Sequence, residues 1–491
     1  MSKRAAETEK SPAALKNLSR EQPEDNGEYP EEMGEFEDQY GDDYSSEEEI
    51  IEAGADGEDP GEDETMEDQM ELDKQVYLPS RHRLQKDEIL EPDSTAYHML
   101  HRMNVKWPCL SFDVLPDELG DERRSYPHTV YMVAGTQAQR AKDNEILIMK
   151  LSGLHKERQH EDSDEEDDDD SDTEDEPILE SRTIPTNSTT NRLRISPHSH
   201  TAASMAESGE VQIWDVAPYY RSFDTPGLVI SPAAKKPAAT LRMHKRTEGY
   251  AIDWSPHARE TLGKLATGDN DGKIFVSKRK EDGSWASEGP YTGHTGSVEE
   301  LQWSPSERHV MCSASSDGTV KIWDARAAKR HQLSVEVSSS DVNVASWCRS
   351  VDYLLATGAD DGVWGVWDLR TFPNAAQGKT VSATAQFTFH QQPITSVEFH
   401  PTEDSVVAVA CADNTITQWD MSVELDDEES RDTGGVADVP PQLMFVHHMP
   451  EVKELHWQRQ APSVVVATGG EGFKYAIPRD SIYSVFKTIS A

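Results

Sequence analysis

From about residue 190 onward, apolar residues alternate with polar ones in short runs, the period of half-buried strands. The runs repeat one order of residues. A strand closing on an aromatic is followed by Ser-Pro or His-Pro, then by an apolar strand ending in small residues. An Asp or Asn turn comes next, and an alternating strand then closes on Trp-Asp. The aromatic falls at Trp254, Trp303, Trp347, Phe399 and Trp457, spaced by 49, 44, 52 and 58 residues. The closing position falls at Val276, Trp323, Trp367, Trp419 and Ala476, spaced by 47, 44, 52 and 57. Two independent landmarks drift together, so the unit is real and the extra length lies in loops. Upstream, Ser204 to Asp215 ends another unit, and Tyr131 to Thr136 with Asn144 to Leu151 supplies a weaker first one. Together they predict an all-β ring of seven blades with no free sheet edge.

The fullest copy reads Gly293-His294, Trp303-Ser304-Pro305, Val310 to Asp317, Gly318 to Ile322 and Trp323-Asp324. This is the WD40 pattern, and the predicted fold class is a seven-bladed WD40 β-propeller. Asp317 precedes Gly318 at a tight turn, where glycine tolerates the backbone that the turn demands. His294, Ser313, Asp317 and Trp323 are expected to form a buried polar relay, with Asp324, Trp367 and Trp419 as further structural positions. The same residue types could suggest a serine-histidine-aspartate catalytic set. They recur in part as His390, Asp413 and Trp419, and an active site would not be copied around a ring. The expectation is architecture, not catalysis.

Ahead of the repeats, Ser94 offers an N-cap, Tyr97, Leu100, His101 and Asn104 fall on helical spacing, and Pro108 stops the run. The spacing predicts a helix from Ser94 to Val105. The domain expectation is then an arm at 1–75, a helix and ring-closing strand at 76–115, and the propeller at 116–491. Acidic insertions are placed at 155–177, inside the second-blade region, and at 424–439, after the sixth blade.

Charge sharpens this picture. The formal net charge is −45 over 491 residues. Glu21 to Asp73 holds 25 acidic residues and no Lys or Arg, Glu161 to Glu176 holds 13, and Glu424 to Asp432 is net −5. These stretches account for −43, leaving −2 for everything else. A nearly neutral body therefore carries three acidic appendages, which are expected to be disordered. Bare nucleic acid would be repelled by them, whereas a strongly basic protein would be attracted and shielded. Asp167, Asp168, Asp169 and Asp170 are candidate partner-binding residues in the central tract. Ser45, Ser46, Ser163, Ser171 and Thr173 sit among acids as candidate sites for an acid-directed kinase, each adding roughly −1.5 to −2 when phosphorylated.

Two segments carry a resemblance. Tyr97 to Phe112 resembles the N-terminal helix region of the histone-binding, retinoblastoma-binding type of WD-repeat proteins. The acidic stretch Asp426-Asp427-Glu428-Glu429 leading into Pro440-Pro441 resembles that family's second mark. The resemblance implies that helix and acidic Pro-Pro loop wall a groove for a basic helix, with Tyr97 and His101 on the helix side. The long acidic arm and internal acidic run narrow the likeness to the glutamate-rich WD-repeat subfamily. That resemblance implies a ribosome-assembly factor, the dedicated chaperone of large-subunit ribosomal protein three, shuttling between cytoplasm and nucleolus. A histone chaperone or chromatin-complex subunit shares the groove and stays open. So does a ubiquitin-ligase substrate receptor, because Trp-Asp-x-Arg occurs at Trp323 to Arg326 and Trp367 to Arg370.

Other classes fall away. No apolar run reaches membrane-spanning length, and the first residues lack the apolar stretch of a signal peptide. Cys109, Cys312, Cys348 and Cys411 are scattered without a CxxC pair, as expected for a reducing compartment. No metal or cofactor is called for, and a monomer is expected. Gly469-Gly470-Glu471-Gly472 is expected to be a turn, not a phosphate loop.

Overall fold

The computed structural model describes residues 88–157 except 93, 176–423 except 261 and 328, 439–478 except 471, and the backbone of 486–490. Seven four-stranded antiparallel sheets form the blades. Within each, strands a to d run from the channel outward. Blade 1 is Cys109–Leu115, His128–Thr136, Glu145–Leu154 and Ile178–Pro185, and blade 2 runs from Thr190–Ile195 to Ala239–Leu241. Blades 3 to 6 begin with the a strands Ile252–Trp254, Val298–Trp303, Val342–Trp347 and Ile394–Phe399.

The seventh blade has a different origin. Its strands a to c are Glu454–Trp457, Val465–Gly469 and Gly472–Pro478, but its d strand is Tyr97–Met103, from the other end of the chain. The register joins Tyr97 to Pro478 and Met103 to Phe473. Gly472 stands at φ +108°, and a Cβ there would come within 2.4 Å of the Met103 carbonyl oxygen. Only glycine lets the closing strand approach this near. A second pairing, Glu88–Pro92 with Phe486–Ser490, also joins the two ends of the described chain.

This corrects the helix expected at Ser94 to Val105. Only a 3-10 turn, Ser94–Ala96, precedes the strand. Tyr97, Met99 and Met103 are buried on period two, and the helical spacing of Tyr97, Leu100 and His101 is coincidental, since Leu100 and His101 are only half-buried. Strand c of the last blade needs a partner for its backbone groups, and that tertiary demand overrides local propensity. Both acidic insertions also shift. The central one lies inside blade 1, between its c and d strands, and the other lies inside blade 6, between Thr415–Asp420 and Leu443–His448. The sequence unit ends at Trp-Asp on strand c, while the sheet takes the next strand as its d.

The described residues include one α-helix, α1 (Ala217–Asp224), which buries Tyr219, Tyr220 and Phe223 over blades 1 and 2. Each blade junction is tied near the channel by a hydrogen bond from one inner strand to the next. Asp113 accepts from Ile195 N–H at 2.7 Å, Asp253 from Trp303 at 2.7 Å, and Gln302 from Trp347 at 2.7 Å. Ser346 accepts from Phe399, Glu398 from Trp457 and Glu454 from Phe112, while the Trp254 indole donates to the Arg194 carbonyl.

The relay in blade 4 has the expected members. His294 Nδ1 lies 2.9 Å from Asp317 and Nε2 lies 2.6 Å from Ser313 Oγ, which accepts from Trp323 Nε1 at 2.8 Å. A carboxylate can only accept, so Nδ1 carries the proton and Nε2 takes the serine hydroxyl. Burial holds His294 below its ordinary value despite Asp317. In blade 6 the hydroxyl is Thr417 of strand c, 3.0 Å from His390, because strand b offers Val409 at the facing position. Blade 3 holds a shorter version, His244 with Asp269 and Thr267. Ser313 is wholly buried and its oxygen also accepts from Trp323, so the hydroxyl is out of a substrate's reach.

Two outcomes follow for stability. Ser313→Ala strands the Trp323 indole and His294 Nε2 in the core and should cost about 3 kcal/mol in urea unfolding. Tyr97→Ala should cost about 3–5 kcal/mol by removing a wholly buried ring from the closure, whereas Tyr97→Phe should cost about 1–2 kcal/mol. A Tyr97→Ala cost below that of Tyr97→Phe would contradict this role.

Candidate partner surfaces and the central channel

The strand Tyr97–Met103 lies on the outer flank between blades 6 and 1. Tyr97 is wholly buried there; its hydroxyl meets His447 Nδ1 at 2.6 Å and its ring sits edge-on to Phe445 at 5.2 Å. Burial and the neighbouring Lys474 keep His447 well below its ordinary value, so the neutral ring accepts from the phenol. As a partner-binding residue Tyr97 is therefore corrected: it clamps blade 7 to blade 6 and presents no surface. His101 is half-buried, with Nε2 2.9 Å from the His155 carbonyl. Glu157 N–H donates to the His98 carbonyl at 2.8 Å, so the outer edge of the closing strand is covered by the exit of blade 1 strand c. That cover protects an otherwise unpaired edge.

Pro440 and Pro441 are half-buried at the entry to Leu443–His448, and the Pro440 carbonyl accepts from Leu443 N–H at 3.0 Å. The flank thus gathers His101 with the ends of both acidic insertions, Glu157 on one side and Val439-Pro440 on the other. Asp426, Asp427, Glu428 and Glu429 lie outside the described residues. So do Asp167, Asp168, Asp169 and Asp170, and the five candidate phosphorylation sites.

A surface the sequence reading missed lies where a b–c connection, a d–a connection and the start of the blade 4 inner strand meet. Tyr250 is half-buried, and after burial itself Glu248, Glu299 and Glu207 push its phenol upward. The three carboxylates make this part of the surface negative. The signal was unreadable beforehand, since the three glutamates come from two connections and the inner strand of blade 4, spread across 92 residues.

The Trp-Asp-x-Arg arginines are engaged within the chain. Arg326 grips Asp324 through Nε and Nη2 at 3.0 and 2.7 Å, and Arg370 grips Asp368 at 2.9 and 2.7 Å. His390, Cys411 and Asp413 cluster within 4.8 Å, but His390 spends both nitrogens on Asp413 and Thr417, and Cys411 donates to the Gln392 carbonyl. That cluster is the blade 6 relay.

The channel interior is ionic. Arg192 meets Glu454 at 2.7 Å and Glu300 at 3.5 Å, and Arg194 meets Glu454 at 2.9 Å. Burial alone would raise the Glu454 pKa, yet Arg194 and Arg192 hold it well below the usual range. Burial would likewise lower His456, but Glu398 and Glu454 push it up to about 10, so it is an imidazolium. Asp253 has no such partner. Burial raises its carboxyl to about 7 against the opposing Trp303 N–H and the arginines. A folded-state value above the ordinary one means that ionisation disfavours the fold: the contribution is present below about pH 4 and lost as pH rises through about 7. Asp253→Asn keeps an oxygen for Trp303 N–H and cannot ionise. Its melting temperature relative to the parent should therefore climb between about pH 5 and about pH 8, in scanning calorimetry at both. A flat difference would refute the assignment.

Comparison with known proteins agrees with this architecture. The family of the histone-binding protein RBBP4, whose description also takes in a component of the CAF1 complex, matches residues 87–155, which hold the closing strand and most of blade 1. The WD domain, G-beta repeat family matches 286–324 and 382–420. The ribosome assembly protein rrb1 of Schizosaccharomyces pombe is 46% identical over 463 residues, covering 92% of each chain. A glutamate-rich WD repeat-containing protein 1 of Dictyostelium discoideum is 42% identical over 91% of this chain and 92% of its own. The Arabidopsis thaliana protein HEAT STRESS TOLERANT DWD 1 is 41% identical over 82% and 91%. With likeness of this depth running through arm, closing strand and propeller, the chain belongs to the glutamate-rich WD-repeat family.

Proposed function

We propose that this protein is a non-enzymatic chaperone that binds a newly made, basic protein of the large ribosomal subunit and delivers it to the assembling particle. The observation that carries the reading is the division of charge: three acidic tracts hold −43 of the −45, on a body that is otherwise near neutral. The relative named as a ribosome assembly protein supports the biological setting. The family resemblance narrows the client to large-subunit ribosomal protein three and the site of action to nucleus and nucleolus, with shuttling from the cytoplasm.

The physical scheme has two parts. A short basic segment is taken specifically on the flank where His101 and Pro440-Pro441 stand, with Asp426 to Glu429 as its acidic wall. The central tract, with Asp167 to Asp170, and the N-terminal arm then cover remaining positive surface without a fixed geometry. Dense carboxylates capture fast and release readily, because such contacts are screened over about 8 Å at physiological salt. Ribosomal RNA, with its denser phosphates, displaces them.

The histone reading is kept because a histone-binding family matches residues 87–155. One experiment separates the two. Tagged protein is captured from lysate at moderate salt, washed at high salt, and the retained proteins are identified by mass spectrometry. A single large-subunit ribosomal protein near stoichiometry is expected; histones with chromatin-complex proteins would favour the second reading, and a cullin adaptor a third. Reversal of Asp426, Asp427, Glu428 and Glu429 to lysine should weaken client affinity by about tenfold or more, mostly through the association rate. Unchanged affinity would remove the acidic wall from the site.

A further inference from the structure

In the repeat, the second residue after the inner-strand aromatic is a proline: Pro256 and Pro305 in blades 3 and 4, and Pro401 in blade 6. Blade 2 has Pro197 in the same place after Ile195. Blades 5 and 7 break the rule with Arg349 and Arg459. These a–b turns frame one mouth of the central channel, where a cavity of about 330 Å³ opens, lined by both arginines, His456 and the rings of Trp303, Trp347 and Trp457. Its inner end is closed by the paired Arg192, Arg194 and Glu300. The repeat favours a rigid uncharged turn, and at two blades that flank blade 6 it has been replaced by a long cation.

Neither guanidinium is spent. Both residues are exposed to the cavity, and among the described residues neither makes a hydrogen bond or an ion pair. They stand close enough that Arg459 is the main cause of the lowering of Arg349 to about 10, ahead of burial. Glu398, Asp253 and Asp113 face Arg349, but each is already held by the belt between blades. Glu398 takes His456 Nδ1–H and Trp457 N–H, Asp253 takes Trp303 N–H, and Asp113 takes Val114 and Ile195 N–H. Asp121, also at the mouth, accepts from Gln460 at 3.2 Å. His456 adds a third positive group at the wall, already paired through Nδ1 to Glu398 at 2.9 Å and through Nε2 to Glu454 at 3.7 Å.

We propose that this mouth is a binding site for a compact phosphate-class oxyanion, bridged by Arg349 and Arg459. Two guanidinium forks on separate blades together offer more donors than one carboxylate can accept. A carboxylate has two oxygens and saturates a single fork. A phosphate or pyrophosphate has enough oxygens to engage both at once and to relieve the repulsion between them. The inference is independent of the client proposed above, since it concerns a different opening, a ligand of opposite charge and residues that the chaperone scheme does not use.

The test is titration of the full chain with sodium pyrophosphate, with inorganic phosphate and acetate as comparison anions, at ionic strength fixed with chloride. Isothermal calorimetry should find one pyrophosphate site, with phosphate weaker and acetate silent. Arg349→Gln and Arg459→Gln should each weaken pyrophosphate by about tenfold or more, and the double variant should abolish binding. Arg349→Lys, which keeps charge but loses the fork, should fall between the parent and Arg349→Gln. Multivalent anions also stabilise proteins by exclusion from their surface. Thermal shifts are therefore compared between parent and variant, where that effect cancels. Absence of saturable pyrophosphate binding would overturn the proposal. So would equal binding by parent and double variant, or equal binding of acetate. Circular dichroism and unchanged unfolding of Arg349→Lys guard against a folding defect.

Discussion

A ring of sheets is no more stable than its last joint. Six blades here are built from consecutive strands, and the seventh is completed only when Tyr97–Met103 pairs with Gly472–Pro478. Without that strand, strand c would expose a row of unpaired backbone groups, and blades 1 and 6 would lose the partner that bridges them. The placement of everything on the flank depends on this joint. Tyr97 fixes blade 6 to blade 7, the exit of blade 1 covers the strand's free edge, and both acidic insertions leave the body beside it. A feature that reads as a recognition element is first of all a structural clasp.

The interior is held by polar groups as much as by apolar ones. The belt of inner-strand hydrogen bonds runs junction by junction, and the relays knit the strands within blades 3, 4 and 6. Buried networks of this kind stabilise when every member is satisfied and penalise heavily when one is missing. That asymmetry explains why the relay recurs with substitutions of its hydroxyl, serine or threonine on either of two strands, but keeps a hydroxyl. It also explains why it resembles a catalytic set without acting as one. Its serine hydroxyl is wholly buried beneath the Trp323 indole, where no substrate reaches it.

Much of the fold was legible because a WD unit is local: the turn, the closing Trp-Asp and the alternation lie within one stretch of chain. His294, Ser313, Asp317 and Trp323 could be assigned for that reason. Long-range pairing was not legible in the same way. Tyr97 fits a helical period with Leu100 and His101 and a strand period with Met99 and Met103, and only the distant Gly472–Pro478 decides between them. His244 was missed because its blade closes on Val276 instead of tryptophan, which hid the relay that it heads. The glutamates around Tyr250 and the arginines of the channel became a surface only through the closure of the ring. Arg349 and Arg459 were nonetheless visible as departures from the repeat's own proline, a signal that needs the register of the blades to be read.

The closing joint also sets an order of events. Tyr97 and His447 are 350 positions apart, and the pairing strand lies later still. During synthesis the closing strand emerges early and must wait, unpaired, until six blades and most of a seventh have followed it out of the ribosome. Until then the nascent chain is an open crescent with a bare edge at each end, the state in which edge-to-edge association competes with folding. The dense negative charge on both sides of the waiting strand, 25 acids before it and 13 soon after, keeps such crescents apart by mutual repulsion. The acidic tracts thus serve the birth of the ring before they can serve any partner.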